Sequence, residues 1–344
     1  MLEGSARPLS EVFDLAMLDL DGVVYVGGQA VPRAPESLAA ARVGGLRLAF
    51  ITNNASRAPQ TVADHLSALG VPASASDVVT SAQAAAHVLR EQLGAGAKVV
   101  LLGAEGLRQA LLDVSLVPVT VEEEAAAVVS GFGPDVTWGS IMHAAVRIRD
   151  GLWWVASNTD ATFPTSYGTA PGHGVLVDTL RRFSGVEPVV AGKPARPLLD
   201  ETIRRVGGEH PVMVGDRLDT DIAGAHHAGV PSLLVLTGVT GLRELVAAGA
   251  DERPTYLSLD LRGLQEAHGR PELREDGVAV LGGWEAYVES GRLRVDGTGG
   301  PADWWRTVAT AAWAHLDATG EPVDVADLDA PPANESPSTQ AGAR

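Results

Sequence analysis

The chain has 344 residues, of which 45% are hydrophobic, with a formal charge of −17 and a pI near 4.9. This acidic balance argues against a general affinity for nucleic acids or anionic membranes, which attract positively charged proteins. The sequence contains no cysteine, which excludes disulfides, cysteine-bound metals and thiol catalysis.

Short apolar runs that end in polar, glycine-containing loops predict buried strands along much of the chain. The predicted strands lie within residues 15–22, 46–54, 99–103, 125–131, 152–158 and 211–216. Helical patterns lie between several of them, as at 59–69, 197–206 and 221–228. Because strands alternate with helices, we predict an α/β protein with a largely parallel sheet.

The composition changes toward the C-terminus. Residues 277–296 resemble two or three antiparallel strands, and residues 301–318 form an amphipathic pattern with proline at its start, which predicts one helix. Residues 330–344 are rich in proline, alanine and serine without periodicity, so we expect a flexible tail. We also expect residues 1–11 to be flexible.

Three of the predicted strands end in loops that carry polar side chains, and a fourth loop carries a lysine. The residues concerned are Asp19 and Asp21, then Thr52, Asn53 and Asn54, then Lys193, and finally Asp216 and Asp221. Ligands bind outside the carboxyl ends of the strands in an open parallel sheet, so these side chains should meet at one edge.

Each of these motifs alone is weak evidence, but together they suggest one chemistry. Several aspartates at one edge would repel one another, and Mg²⁺ with oxygen ligands, phosphate and water removes that conflict. Thr52 and Lys193 supply the hydroxyl and ammonium groups that a phosphoryl group needs. Asp19 and Asp21 share a face of an extended segment, so one can attack phosphorus while the other transfers protons.

The segments DLDGVVY, ITNN, AGKP and GDRLDTD, in this order, resemble the four motifs of the haloacid dehalogenase superfamily of phosphatases. The resemblance implies a Rossmann-like, doubly wound parallel-sheet core over residues 12–84 and 188–262. It also implies that Asp19 is the nucleophile, which forms an aspartyl-phosphate, and that Asp21 is the general acid and base.

The same resemblance implies the ligands of the phosphoryl group and of the metal. The predicted phosphate-binding residues are Thr52, Asn53, Asn54 and Lys193. The predicted Mg²⁺ ligands are Asp19, the backbone carbonyl of Asp21, Asp216 and, through water, Asp221.

Residues 85–187, between the second and third motifs, are numerous enough for an inserted α/β cap domain. Segment 157–164 resembles the substrate loop of the 4-nitrophenylphosphatase-like branch, which has a C2a-type cap. Asn158, Asp160 and His173 are therefore candidate specificity residues. A turn explains the first two equally well, and a simple loop position explains His173 better.

The whole arrangement resembles the actinobacterial glycerol-3-phosphate phosphatases. That resemblance implies glycerol-3-phosphate as the substrate. It also implies that residues 265–325 form a small α+β module similar to part of an acetyltransferase. The module lacks a convincing pyrophosphate-binding loop, so we expect it to be structural.

Several alternatives stay open at this point. Phosphoglycolate, a nucleoside monophosphate, pyridoxal phosphate or a sugar phosphate would also fit the motifs, and the phosphoryl group could pass to an alcohol instead of water. A non-catalytic phosphate-binding protein is disfavoured because the catalytic side chains are all present. An acyl-CoA-binding role is disfavoured by the missing pyrophosphate loop.

The expected partner is a small phosphate ester, without nucleic acid and without membrane insertion. The acidic surface does not forbid a homodimer. Because neither a signal-peptide core nor a run of about 20 apolar residues is found, the expected location is the cytoplasm.

Overall fold

The computed structural model describes residues 1–165 and 168–331. In chain order the strands are β1 (Leu15–Leu18), β2 (Tyr25–Val26), β3 (Gln29–Ala30), β4 (Arg47–Thr52), β5 (Val78–Thr80), β6 (Lys98–Leu102), β7 (Val117–Val119), β8 (Ala127–Ser130), β9 (Trp153–Ala156), β10 (Thr162–Thr165), β11 (Gly168–Pro171), β12 (Val189–Val190), β13 (Pro211–Gly215), β14 (Ser232–Val235), β15 (Tyr256–Ser258), β16 (Glu272–Leu273), β17 (Ala279–Leu281), β18 (Trp284–Glu289) and β19 (Arg292–Gly297).

The α-helices of the same residues connect and cover these strands. They are α1 (Leu9–Val12), α2 (Ala34–Val43), α3 (Pro59–Ala68), α4 (Ser81–Leu93), α5 (Glu105–Asp113), α6 (Trp138–Arg149), α7 (His173–Ser184), α8 (Pro197–Val206), α9 (Ala223–Ala228), α10 (Leu242–Val246) and α11 (Pro301–Thr319). Most of the helices and strands predicted from apolar patterns lie within two or three residues of these bounds.

The core is a parallel sheet in the order β15–β14–β13–β1–β4–β5. Strand β1 is buried along its whole length because its apolar side chains are covered on both faces. From β1 the chain first winds outward to β4 and β5 and later returns to β13 on the other side. The reversal places a crevice at the carboxyl end of β1. The predicted Rossmann-like, doubly wound core is confirmed.

The cap contains a second parallel sheet, in the order β12–β9–β8–β6–β7, and the hairpin formed by β10 and β11. Its last strand, β12, pairs with β9 through Val189 and Val190. The expected return to the core at residue 188 is therefore slightly too early, because these two residues still extend the cap sheet.

The C-terminal module is an antiparallel sheet, β16–β17–β18–β19, packed on α11. It shares an apolar cluster with the core, and two side chains of α11 bond to core backbone. Trp313 Nε1 donates to the Leu245 carbonyl at 2.7 Å, and Arg306 Nε donates to the Leu257 carbonyl at 3.0 Å. The module is thus docked on the core, and its likeness to an acetyltransferase stays a prediction.

The expectation of a flexible segment over residues 1–11 is wrong. Leu2 and Leu9 are buried in two different apolar clusters. The Glu3 amide donates to the Thr255 carbonyl at 2.9 Å, and Ser5 pairs with His268. The two leucines anchor the segment because their burial removes apolar surface from water.

Residues 332–344 of the predicted tail lie outside the described residues. Among the helices that the structure describes, none is both long and apolar enough to cross a membrane.

Candidate active site

The loops that follow β1, β4 and β13 meet at the carboxyl edge of the core sheet, as predicted. The loop after β12 joins them and contributes Lys193. Together they bring the carboxylates of Asp19, Asp216 and Asp221 close enough for one oxygen of each to lie within 4.8 Å of the others.

These three carboxylates are largely removed from water. Asp216 and Asp221 are buried, and the Asp19 side chain is 15% exposed. Burial raises the pKa of Asp216 to about 7, and the neighbouring charge of Asp221 adds to the shift. Burial also raises the pKa of Asp19, which Lys193 counteracts. The cluster therefore holds more negative charge than its surroundings stabilise, and it favours a cation.

Lys193 provides part of that positive charge. Its Nζ forms ion pairs with Asp19 Oδ1 and with Asp221 Oδ1, the latter at 2.7 Å. Burial disfavours the charged ammonium, but the two carboxylates outweigh that effect and raise the pKa of Lys193. Lys193 is therefore a buried ammonium placed directly beside Asp19.

Asp216 has one oxygen free for a metal. Its Oδ2 accepts a hydrogen bond from the Val239 amide at 2.7 Å, whereas its Oδ1 is buried and has no hydrogen-bond partner. Burying a carboxylate oxygen without a hydrogen-bond partner costs free energy unless a ligand binds to that oxygen. Together with Asp19 it offers the hard oxygen donors that Mg²⁺ prefers, so the residues present fit this ion.

Asp221 is held in place by the backbone of its own loop. Its Oδ2 accepts from the amides of Asp216 and Arg217 at 3.2 and 3.1 Å, and its Oδ1 accepts from Lys193. Leu218–Ile222 forms a π-type turn that carries this side chain back toward β13. Both oxygens are already bonded, which agrees with a contact to the metal through water.

Two glycines allow the close approach around Asp216. At Gly22, φ is +86°, and an added Cβ would lie 2.4 Å from Asp216 Oδ2. At Gly238, an added Cβ would lie 1.9 Å from the same oxygen. Gly22 belongs to the first motif, whereas none of the four motifs includes the loop that contains Gly238 and Val239. The apolar run that forms β14, followed by Thr237-Gly238, is the signal that could have revealed it.

Asp21 lies at the rim of the site with its side chain exposed. The surrounding protein still removes enough water to raise the pKa of Asp21, although the charge of Arg57 works in the opposite direction. A raised pKa favours the protonated carboxyl group that a general acid requires.

The three polar residues of the second motif, Thr52, Asn53 and Asn54, form different hydrogen bonds. The Thr52 hydroxyl accepts from the Asn54 amide at 3.1 Å, and Asn54 Oδ1 accepts from the Ser56 amide at 2.8 Å. These two bonds shape the loop. Thr52 is buried at the end of β4, whereas the side chain of Asn53 is directed to the backbone of Lys193.

The predicted cap residues meet the core at Asn53. Asn158 Nδ2 donates to the Asn53 carbonyl at 2.7 Å, and Asn53 Nδ2 donates to Asp160 Oδ1 at 3.0 Å. His173 Nδ1 donates to the Asn158 carbonyl at 2.8 Å, and burial lowers the pKa of His173 to about 4, so its ring is neutral. The structure thus brings Asn158 and Asp160 to the junction between cap and core, next to the Lys193 loop.

The sequence matches two related families of hydrolases. Residues 16–116 match the haloacid dehalogenase-like hydrolases, and residues 190–264 match the HAD-hydrolase-like family. The chain is also 42% identical over 317 residues to a D-glycerol 3-phosphate phosphatase of Mycobacterium tuberculosis, covering 89% of this chain and 88% of that protein. The chain belongs to the haloacid dehalogenase superfamily. The superfamily predicted from the four motifs is therefore confirmed.

Solved structures agree with this assignment. A glycerol phosphate phosphatase of M. tuberculosis in complex with magnesium superimposes with a TM-score of 0.83 at 40% identity, covering 92% of this chain and 94% of that chain. A p-nitrophenyl phosphatase of Archaeoglobus fulgidus superimposes with a TM-score of 0.68 at 27% identity, covering 73% and 98%. The prediction of a phosphatase in this branch of the superfamily is confirmed.

Proposed function

We propose that this phosphatase requires Mg²⁺ and hydrolyses glycerol-3-phosphate through an aspartyl-phosphate on Asp19. The observation that supports it most strongly is the contact between the Lys193 ammonium and the Asp19 carboxylate beside the unpartnered Oδ1 of Asp216. A carboxylate nucleophile (Asp19), a cationic hydrogen-bond donor (Lys193) and a free metal-ligand oxygen (Asp216 Oδ1) therefore lie close together in the crevice.

The oxygen donors of the carboxylate cluster indicate where Mg²⁺ would be held. Asp19 and Asp216 would bind Mg²⁺ directly, with the backbone carbonyl of Asp21, and Asp221 would contact it through water. When bound, Mg²⁺ supplies positive charge that reduces repulsion between the phosphoryl oxygens and the attacking carboxylate. The magnesium complex of the mycobacterial phosphatase supports this choice of ion.

In the first step the Asp19 carboxylate attacks phosphorus, and the bond from phosphorus to the ester oxygen breaks. Asp21 gives its proton to that oxygen, which leaves as glycerol. The Lys193 ammonium and the Thr52 hydroxyl donate hydrogen bonds to the phosphoryl oxygens during the transfer.

In the second step Asp21 is a carboxylate and takes a proton from water. The water oxygen attacks phosphorus, the bond to Asp19 breaks, and inorganic phosphate leaves. Asp19 returns to its carboxylate form, and Asp21 is again protonated, so the cycle closes without any other reactant.

The choice of glycerol-3-phosphate rests on the similarity to the mycobacterial phosphatase over nearly the whole chain. We infer that Asn158 and Asp160, which reach the Asn53–Lys193 junction from the cap, contribute to the recognition of the polyol. We also infer that the C-terminal module stabilises the core and takes no part in the chemistry.

A substrate panel tests this proposal. Phosphate release with Mg²⁺ is measured for both glycerol-3-phosphate enantiomers, phosphoglycolate, nucleoside monophosphates, pyridoxal phosphate and sugar phosphates. We expect the highest kcat/KM for one glycerol-3-phosphate enantiomer. A higher kcat/KM for another ester would overturn the substrate assignment and leave the Asp19 chemistry intact.

A further inference from the structure

Among the described residues, a second cluster of metal-ligating side chains lies outside the active site. His226 and His227 stand at the end of α9, and Asp251 lies on the short 3₁₀ turn Ala250–Glu252. All three are exposed, and one ligand atom of each lies within 4.8 Å of the others. We propose that these three side chains form a binding site for Zn²⁺.

The ligand chemistry separates this site from the carboxylate cluster. Two imidazole nitrogens and one carboxylate oxygen suit Zn²⁺, with water in the fourth position, whereas Mg²⁺ prefers oxygen ligands alone. His226 Nδ1 and Asp251 Oδ1 are 3.5 Å apart. Ligand atoms of tetrahedral Zn²⁺ are roughly 3.4 Å apart for bonds of about 2.1 Å, so this pair already has suitable spacing.

A hydrogen bond to the backbone orients the ring of His227. Its Nδ1 lies 2.9 Å from the Pro194 carbonyl. A carbonyl oxygen can only accept, so Nδ1 carries the proton and Nε2 presents its lone pair. Zinc-ligating histidines commonly donate the other ring N–H to a backbone carbonyl in this way, which fixes the tautomer and orients the ring.

The scaffold beneath the cluster is well anchored. The first three residues of α9, from Ala223 to Ala225, are buried, and Gly224 packs against Pro194 and Lys193. Helix α9 then ends at Gly229 in a left-handed conformation, with φ of +70°. The exposed side chains of His226 and Asp251 can rotate to close around an ion, while the helix and the hydrogen-bonded ring of His227 stay in place.

The test is calorimetric titration of the full-length protein with Zn²⁺ in the presence of saturating Mg²⁺, which occupies the carboxylate site. We expect one Zn²⁺ per chain. His226→Gln, His227→Gln and Asp251→Asn should each raise the dissociation constant at least about tenfold, because each removes a ligand. The matched control is His143→Gln, which removes an exposed histidine of the cap and should leave the dissociation constant unchanged.

Two results of this titration would overturn the proposed Zn²⁺ site. Loss of Zn²⁺ binding in Asp216→Asn, with normal binding in His226→Gln and His227→Gln, would place the ion at the carboxylate cluster and overturn the proposal. Equal weakening by His143→Gln would show unspecific binding to surface histidines and would also overturn it. The ligand variants change exposed side chains, so circular dichroism should show that they remain folded.

Discussion

Asn53 binds both backbone polar groups of Lys193. The Lys193 amide donates to Asn53 Oδ1 at 2.8 Å, and Asn53 Nδ2 donates to the Lys193 carbonyl at 3.0 Å. The two residues are 140 positions apart in sequence. A side chain of the second motif therefore fixes the loop that places the Lys193 ammonium beside Asp19.

Replacing Asn53 should impair catalysis through Lys193. Asn53→Ala leaves a buried amide and a buried carbonyl without partners, which costs about 1–3 kcal/mol for each group. We expect kcat for 4-nitrophenyl phosphate to fall about 10- to 100-fold, with a smaller change in KM. Gln60→Ala, which alters an exposed amide on α3, is the control. A folded Asn53→Ala variant with native kcat would show that the two hydrogen bonds from Asn53 do not position Lys193.

Asp21 should matter most for substrates with poor leaving groups. Asp21→Asn cannot donate a proton to the ester oxygen, and general acid catalysis typically contributes about 10²- to 10⁴-fold. Turnover of glycerol-3-phosphate should therefore fall much further than that of 4-nitrophenyl phosphate, whose leaving group scarcely needs a proton. Steady-state rates on both esters measure this. An equal loss on the two would argue against the acid role.

Mg²⁺ should stabilise the folded protein through Asp216. An ion that binds only the folded state at 100 times its dissociation constant adds about 2.7 kcal/mol. Thermal unfolding should therefore shift upward on addition of Mg²⁺, and Asp216→Asn should remove most of the shift. Asp219→Asn serves as the control, because that exposed carboxylate pairs with Arg217 at 2.7 Å and lies outside the cluster. Retention of the full shift in Asp216→Asn would exclude it as a ligand.

His268 should make the protein sensitive to acid. Its Nε2 donates to the Gly263 carbonyl at 2.8 Å, and its Nδ1 accepts from Arg306 at 3.1 Å. Burial lowers the pKa of His268 to about 4. The unfolded chain, with a histidine pKa near about 6.5, binds the proton more readily. The neutral His268 therefore contributes fully to the free energy of unfolding above about pH 6.5. This contribution is lost as the pH falls toward 4.

The variant His268→Gln tests this effect. It retains a donor and an acceptor but does not titrate, so the free energy of unfolding should fall less steeply between pH 6.5 and 4. The difference in slope should be at most about 1.4 kcal/mol per pH unit. Buried His173 titrates in the same direction, so some slope should remain. Urea unfolding at several pH values measures it, and identical slopes in both proteins would contradict the assignment.

Local sequence patterns predicted the parallel core because buried strands such as β1 and β13 are continuous apolar runs that end abruptly in polar loops. The same patterns located Asp19, Thr52 and Asp216, since strand ends in a parallel sheet converge. The pair of hydrogen bonds between Asn53 and the Lys193 backbone could not be predicted in this way. It depends on how two distant loops pack against each other.

The N-terminal segment shows a similar limit. Leu2 and Leu9 stand in a largely polar stretch, so no periodic pattern marks them as buried. Their burial follows from surfaces that later parts of the chain provide. The contact of His227 with Pro194 is also a product of tertiary packing. The roles of Asn158 and Asp160 in substrate recognition stay predictions.

Trapping the phosphorylated protein shows directly whether Asp19 is the nucleophile. The enzyme is mixed with substrate and Mg²⁺, quenched in acid within milliseconds, digested and analysed by mass spectrometry. We expect one hydroxylamine-labile phosphoryl group on the peptide containing Asp19, and none in Asp19→Asn. A phosphoryl group on another residue, or rapid turnover by Asp19→Asn, would contradict the assignment of Asp19 as the nucleophile.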